Sequence, residues 1–273
     1  MPPELVRIER TGPGGATAQV VFDDPDRRNA MTEAMGRSLA DGVARLAADA
    51  TVRAVVLTGA GSAFSAGGDL EMLEAKSRAG REAPGAAARE ANRAFMRAFY
   101  GLFLSVRELP MPTIAALNGA AIGAGLAVAL ACDLRIAASD AKLGLNFTKL
   151  GIHPGMGSSW TLPRLVGPAH AADLLLTGRI LDGAEAERIG LVNRALPRGE
   201  VVDHALGLAA DIARSGPIAV RQTKRALARS LDVELGDQLE FEAEQQAICY
   251  ESADLAEGLR AARERRAPEF RGS

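Results

Sequence analysis

An α/β fold on a largely parallel sheet is what this chain of 273 residues predicts, and three observations predict it. Short runs of β-branched and apolar residues alternate with stretches whose apolar residues return every three or four positions, the order that βαβ units require. From Pro168 onward the pattern turns almost wholly helical. Apolar residues make up 48% of the chain against 24% charged, enough to bury a large core at this length. The boundary falls near residue 195, giving an α/β core at 1–195 and a helical region at 196–273.

Each element has its own signal. Residues 5–9 and 17–22 flank a Gly-rich turn at 11–15 and read as a hairpin. After a turn at 23–28, Thr32 can cap a helix whose apolar face is Met35, Leu39, Val43 and Leu46. Residues 52–58 form a short apolar strand, the loop 59–68 follows, and Asp69 stands where it can cap the next helix. The stretch 76–91 is rich in Ala, Gly, Arg and Glu without a sustained apolar period, and reads as a mobile surface segment. Phe95, Phe99, Leu102, Phe103 and Val106 restore helical spacing until Pro110 and Pro112 stop it. A strand at 113–117, a Gly-punctuated helix at 123–131 and a strand at 134–138 continue the alternation. The helical pieces beyond lie at 174–177, 201–214, 217–229, 235–248 and 254–265.

Composition and motifs exclude several function classes. With 32 basic and 34 acidic side chains there is no excess charge to drive binding to nucleic acid. The opening residues MPPELVRIER carry charge from position 4 and lack the apolar run of a secretory signal, so a cytoplasmic protein is expected. The longest apolar run, at 119–132, is interrupted by glycines, and no membrane span is expected. Cys132 and Cys249 form no CxxC pair, and His153, His170 and His204 are too scattered for HExxH, so no metal site is indicated. No GxSxG elbow and no GxxxxGK[ST] loop occurs.

Two glycine-rich segments remain, Phe64-Ser65-Ala66-Gly67-Gly68-Asp69 and Asn118-Gly119-Ala120-Ala121-Ile122-Gly123-Ala124-Gly125. Each follows a strand and precedes a helix, where unspent N–H groups and the positive end of the helix dipole suit an anion or a developing oxyanion.

These segments, with Arg27-Arg28-Asn29-Ala30-Met31, the Ala63–Leu70 loop AFSAGGDL, Pro112–Gly119, Ala131-Cys132-Asp133 and Leu150–Gly157, occur in an order and spacing that extend through Leu162-Pro163-Arg164, Leu176-Thr177-Gly178, AERIGLV at 186–192 and the ending around 257–270. Over nearly its whole length the chain resembles the crotonase family, the enoyl-CoA hydratase/isomerase superfamily. The resemblance implies a ClpP-like fold of repeated ββα units with a C-terminal helical region for capping and assembly. It implies acyl-CoA thioesters as ligands, coenzyme A being part of the substrate and no cofactor permanently bound. Matched residue by residue, the oxyanion-hole N–H donors are those of Gly68 and Ala124. The loop Ala66–Glu71 should line the adenine and pantetheine channel, with Phe64 and Leu70 as apolar wall and Arg27 and Arg28 as candidates for the CoA phosphates. Trimers, or trimers paired into hexamers, are implied as well.

The chain also departs from the family pattern. Hydratases of the family carry one catalytic glutamate at the position matched by Ala127 and another at that matched by Phe147. Dienoyl-type isomerases place an aspartate where this chain has Gly155. The substitutes in this sequence are His153, Lys149, Asp69 and Glu71, with His153 the first candidate. Ordinary hydration is therefore not expected. Chemistry that needs an oxyanion hole without a base, such as decarboxylation of a malonyl-type thioester, stays open beside binding without turnover.

Overall fold

The computed structural model describes residues 5–273, and the first four residues of the charged N-terminal stretch lie outside it. Strands β1 (Val6–Thr11) and β2 (Thr17–Phe22) form the expected hairpin, antiparallel from Val6 opposite Phe22 to Thr11 opposite Thr17. Helix α1 (Glu33–Ala48) starts where the Thr32 hydroxyl accepts the Met35 N–H, and it buries Met35, Leu39, Val43 and Leu46. Strand β3 (Ala54–Gly59) pairs parallel with β2. Strands β5 (Thr113–Leu117), β7 (Leu134–Ala138) and β9 (Arg194–Leu196) then add in parallel, so the large sheet runs β1-β2-β3-β5-β7-β9. β3 and β5 are buried at every residue, as central strands covered on both faces must be.

A second, smaller parallel sheet is made of β4 (Ala63–Ser65), β6 (Ala120–Ile122) and β8 (Leu143–Gly144). Each follows a strand of the large sheet within a few residues, so three successive units send one strand to each sheet. Helices follow: α2 (Leu70–Glu82) and α3 (Ala86–Leu104) after the first unit, and α4 (Ala124–Leu130) after the second. A 3-10 turn at Asn146–Leu150 leads into α5 (Ser158–Thr177) after the third. The repeated strand-strand-helix plan implied by the resemblance is what the chain adopts.

Three local expectations need correction. The stretch 76–91 is the end of α2 and the start of α3, broken only at 83–85. α2 buries no residue, so it needs helix-forming side chains and not an apolar stripe. Lys76 sits 3.7 Å above the Phe95 ring, which continues the Phe95, Phe99, Phe103 row of α3, and so ties the two helices together. α5 begins at Ser158, ahead of the expected onset at Pro168, and bends at Gly167, whose φ is 75°. Finally, α6 (Gly183–Arg188) and β9 return the chain to the large sheet, and α7 (Val201–Ala213) lays Val201, Ala205, Ala209 and Ala213 on it. The layered core thus continues past residue 195.

Helices α8 (Pro217–Arg229), α9 (Leu235–Tyr250) and α10 (Ala253–Glu264) follow. Lys224 of α8 reaches the Asp133 carboxylate at 2.8 Å and the Met111 carbonyl at 2.9 Å, anchoring α8 to the sheet. The C-terminal tail folds back on α10, where Asp254 accepts the N–H groups of Arg271 and Gly272. Glu257 accepts the Arg266 guanidinium and the Glu269 N–H, and the bonds from Arg266 hold its carboxyl well below the usual range. No helix among the described residues is long and apolar enough to cross a membrane.

Candidate active site

The site forms where the two glycine-rich segments meet beyond the small sheet. After β4 the chain runs extended through Gly67 and Gly68 beside Met31, in a single parallel bridge. Met31 N–H donates to the Gly67 carbonyl at 2.7 Å, and Asp69 N–H donates to the Met31 carbonyl at 3.2 Å. That ladder uses the groups flanking Gly68 and leaves the Gly68 N–H pointing the other way, with no acceptor among the described residues. Gly67 has φ of 91°, and a Cβ there would collide with the Ile122 carbonyl oxygen and lie 3.5 Å from the Ala124 nitrogen. Only glycine allows the strand carrying Gly68 to press this closely on the start of α4.

Ala124 is the first residue of α4, capped by Gly123. Its N–H belongs to the helix-initial set that has no partner within the helix, and none is found among the described residues. Two unspent backbone donors therefore emerge from neighbouring segments. An arrangement of this kind can hold a carbonyl oxygen or an anion.

Buried polar side chains fix this geometry. Asn29 is fully buried at φ of 55°. Its Nδ2 donates to the carbonyls of Ala63 at 2.8 Å, Ala60 at 3.0 Å and Phe64 at 3.3 Å, while its Oδ1 accepts the Asp24 N–H at 2.9 Å. Ser65 Oγ donates to the Asn29 carbonyl at 2.7 Å and accepts the Gly67 N–H at 3.1 Å. The Asp69 carboxylate caps α2 by accepting the Met72 N–H at 2.9 Å, as the sequence led us to expect, and it also pairs with Arg27.

The remaining expected residues divide. Phe64 does not line a channel: it has no exposed surface and meets Phe22 edge to face at 5.5 Å between ring centres, inside the core. Strand alternation turns it inward. Ala66 and Leu70 face solvent on the loop, Leu70 at 63% exposure. Exposed Arg27 is paired with Asp69, whereas exposed Arg28, at φ of 50°, has no side-chain partner among the described residues. Ala127 is buried one turn into α4. Phe147 is buried on the 3-10 turn, its ring 3.9 Å from where a Cβ on Gly123 would stand, so it covers the cap of α4. His153 is exposed and donates its Nδ1–H to the adjacent Pro154 carbonyl at 2.8 Å. Lys149 and Glu71 are exposed.

Sequence reasoning missed Tyr100. Its hydroxyl lies 2.5 Å from where a Cβ on Gly155 would be, filling the space a side chain at 155 would take. Burial pushes its phenol up, so it is a neutral O–H donor at physiological pH. Asn29 and Ser65 could have been read only as motif members, because their partners lie in other segments.

Strand-strand-helix units split between two parallel sheets, with a glycine loop pressed against the start of a short helix, define an α/β protein of a recurrent plan. Comparison with known proteins makes this specific. The sequence pattern of the family described as enoyl-CoA hydratase/isomerase matches residues 13–273. The mouse mitochondrial enoyl-CoA hydratase domain-containing protein 2 is 38% identical over 275 residues, which span 99% of this chain and 89% of that protein. Mouse mitochondrial methylglutaconyl-CoA hydratase is 36% identical over 250 residues, covering 90% and 76% of the two chains. The crystal structure of enoyl-CoA hydratase from Bacillus anthracis superposes with a TM-score of 0.89 at 34% identity, over 98% of this chain and 100% of the other. The chain belongs to the enoyl-CoA hydratase/isomerase family, and its fold is the crotonase fold.

Proposed function

We propose that the protein acts on an acyl-CoA thioester, holding its carbonyl oxygen between the Gly68 and Ala124 N–H groups and stabilising the enolate as charge develops there. The observation that carries this reading is the pair of backbone donors left without acceptors on abutting segments. Each such donor is worth about 3–4 kcal/mol to the charged state, and a backbone donor does not depend on the side chain at its position. The relatives named as hydratases of CoA thioesters support the choice of ligand. Arg28, free and exposed at the same loop, offers a cation for the CoA phosphates, and Ala66 and Leu70 form the solvent-side rim of the channel.

Hydration needs a positioned acid and base, worth about 10²–10⁴-fold each. The two positions matched to carboxylates hold Ala127 and Phe147, and the Phe147 ring packs an apolar surface against the Gly123 turn. His153, turned to its own neighbour's carbonyl, is a poor replacement. Ordinary hydratase activity is therefore weak in this reading. Loss of conjugated-thioester absorbance from crotonyl-CoA tests it: wild type stays close to the uncatalysed rate, and Ala127→Glu with Phe147→Glu raises it. Robust hydration by the wild type overturns the reading.

A second reading is decarboxylation of a malonyl-type thioester, in which breaking the bond to the carboxylate releases CO2 and leaves its electron pair as the enolate, so that no base is required at the positions held by Ala127 and Phe147. Assembly through the C-terminal helices also belongs to this proposal. Leu227, Leu231, Leu235, Leu239 and Tyr250 are between 55% and 73% exposed on α8, α9 and the turn between them, an apolar surface that a partner copy would cover.

A further inference from the structure

Ser65 touches both halves of the donor pair. Its hydroxyl donates to the Asn29 carbonyl and accepts the Gly67 N–H, so it fixes the peptide immediately before Gly68. On its other side it lies against Gly125, the residue after Ala124: a Cβ on Gly125 would stand 2.8 Å from the Ser65 Cβ, 2.9 Å from its Oγ and 2.7 Å from its carbonyl oxygen. Ser65 is fully buried, and its own backbone pairs β4 with β6 across Ala121. The side chain is thus a spacer between the strand that presents one donor and the helix turn that presents the other.

We propose that Ser65 is the positioning residue of the oxyanion hole, its hydroxyl setting the separation and aim of the Gly68 and Ala124 N–H groups. The inference rests on the reading of those two groups as thioester donors. A hydrogen-bonded hydroxyl suits the task for a physical reason. An apolar side chain of similar size could keep the volume but not satisfy the buried Gly67 N–H, which would then turn toward another acceptor and rotate the adjoining Gly68 peptide with it. A Gly125 side chain would fail from the opposite direction by pushing α4 off Ser65.

The test separates alignment from general loss of structure. Butyryl-CoA carrying ¹³C at its carbonyl is bound to the protein, and the carbonyl stretch is read by difference infrared spectroscopy, because aligned donors polarise the bond and lower its frequency. Affinity for free CoA is measured in parallel as a readout of the folded binding surface. In the wild type the frequency falls on binding. In Ser65→Ala the fall is reduced by half or more while CoA affinity stays within about twofold, and any turnover that passes through the enolate drops about 10- to 100-fold. Ser65→Cys, which keeps a heavy atom at the position but accepts more weakly, gives an intermediate frequency. A wild-type frequency in Ser65→Ala, or losses of CoA and thioester affinity in equal measure at an unchanged frequency, overturns the assignment of Ser65. No fall in the wild type itself overturns the donor reading instead.

Discussion

Ala124→Pro removes one donor and puts a ring carbon in its place. Residue 124 opens α4, so its N–H takes part in no intrahelical bond, and proline at the first helical position is well tolerated. The substitution deletes the hydrogen and sets a ring carbon on the nitrogen, which faces the Gly67–Gly68 strand. A neutral hydrogen bond to a ground-state thioester carbonyl is worth about 0.5–1.5 kcal/mol net. At ~0.59 kcal/mol per e-fold this corresponds to a ~2- to ~13-fold loss of preference for a thioester over the matching thioether, which has no carbonyl oxygen at that position. For the enolate the loss is larger, about 10²–10³-fold. Isothermal titration with an acyl-CoA and its thioether analogue measures the preference directly, and thermal melting checks that the fold survives. The wild type binds the thioester more tightly, and in Ala124→Pro that preference falls by the ~2- to ~13-fold one donor supplies. Retention of the wild-type preference by a folded Ala124→Pro would refute the reasoning, because no other change could leave the second donor unnecessary.

Further predictions concern the frame around the site. Asn29→Ala removes the amide that three buried carbonyls share and lowers stability by about 3 kcal/mol, read as a melting temperature ~8 °C lower; a shift under about 2 °C would show that the loop does not depend on it. Because Glu257 has its carboxyl pKa lowered in the fold, its hold on the tail is complete above the ordinary carboxylate range of about 4.3 and is lost only as pH falls through the lower folded value. The protection factor of the Glu269 N–H, its exchange rate relative to the intrinsic rate at each pH, should therefore be unchanged from pH 7 to pH 5, whereas Glu257→Gln should lower it at pH 7. Light scattering should report an assembly larger than the 28.5 kDa single chain, and a monomer at micromolar concentration would contradict the proposed use of α8 and α9.

How much of this was legible in the sequence follows from what periodicity can encode. α1 was legible because Met35, Leu39, Val43 and Leu46 form a single buried face, and the large sheet because its central strands are continuous apolar runs. The small sheet was hidden, since strands of three, three and two residues are too short to show a period. α2 was hidden for the opposite reason, a helix that buries nothing having no apolar face to repeat. At the site, the two glycine-rich segments pointed to unspent N–H groups by their place between strand and helix, and the resemblance singled out those of Gly68 and Ala124. Phe64 misled because an apolar residue beside a glycine loop reads the same whether it lines a channel or fills the core. The pairing of Arg27 was illegible because its partner Asp69 is 42 residues away. Asn29, Ser65 and Tyr100 acquire their roles only from contacts between segments, which no spacing within one segment can announce.

The account turns on where a thioester carbonyl binds, and a crystal structure of the protein with butyryl-CoA measures that directly. The carbonyl oxygen should lie about 2.7–3.1 Å from both the Gly68 and Ala124 nitrogens, with the acyl chain passing the Phe147 ring and the CoA phosphates within reach of Arg28. A carbonyl oxygen held by other groups, with either N–H still facing solvent, would contradict it.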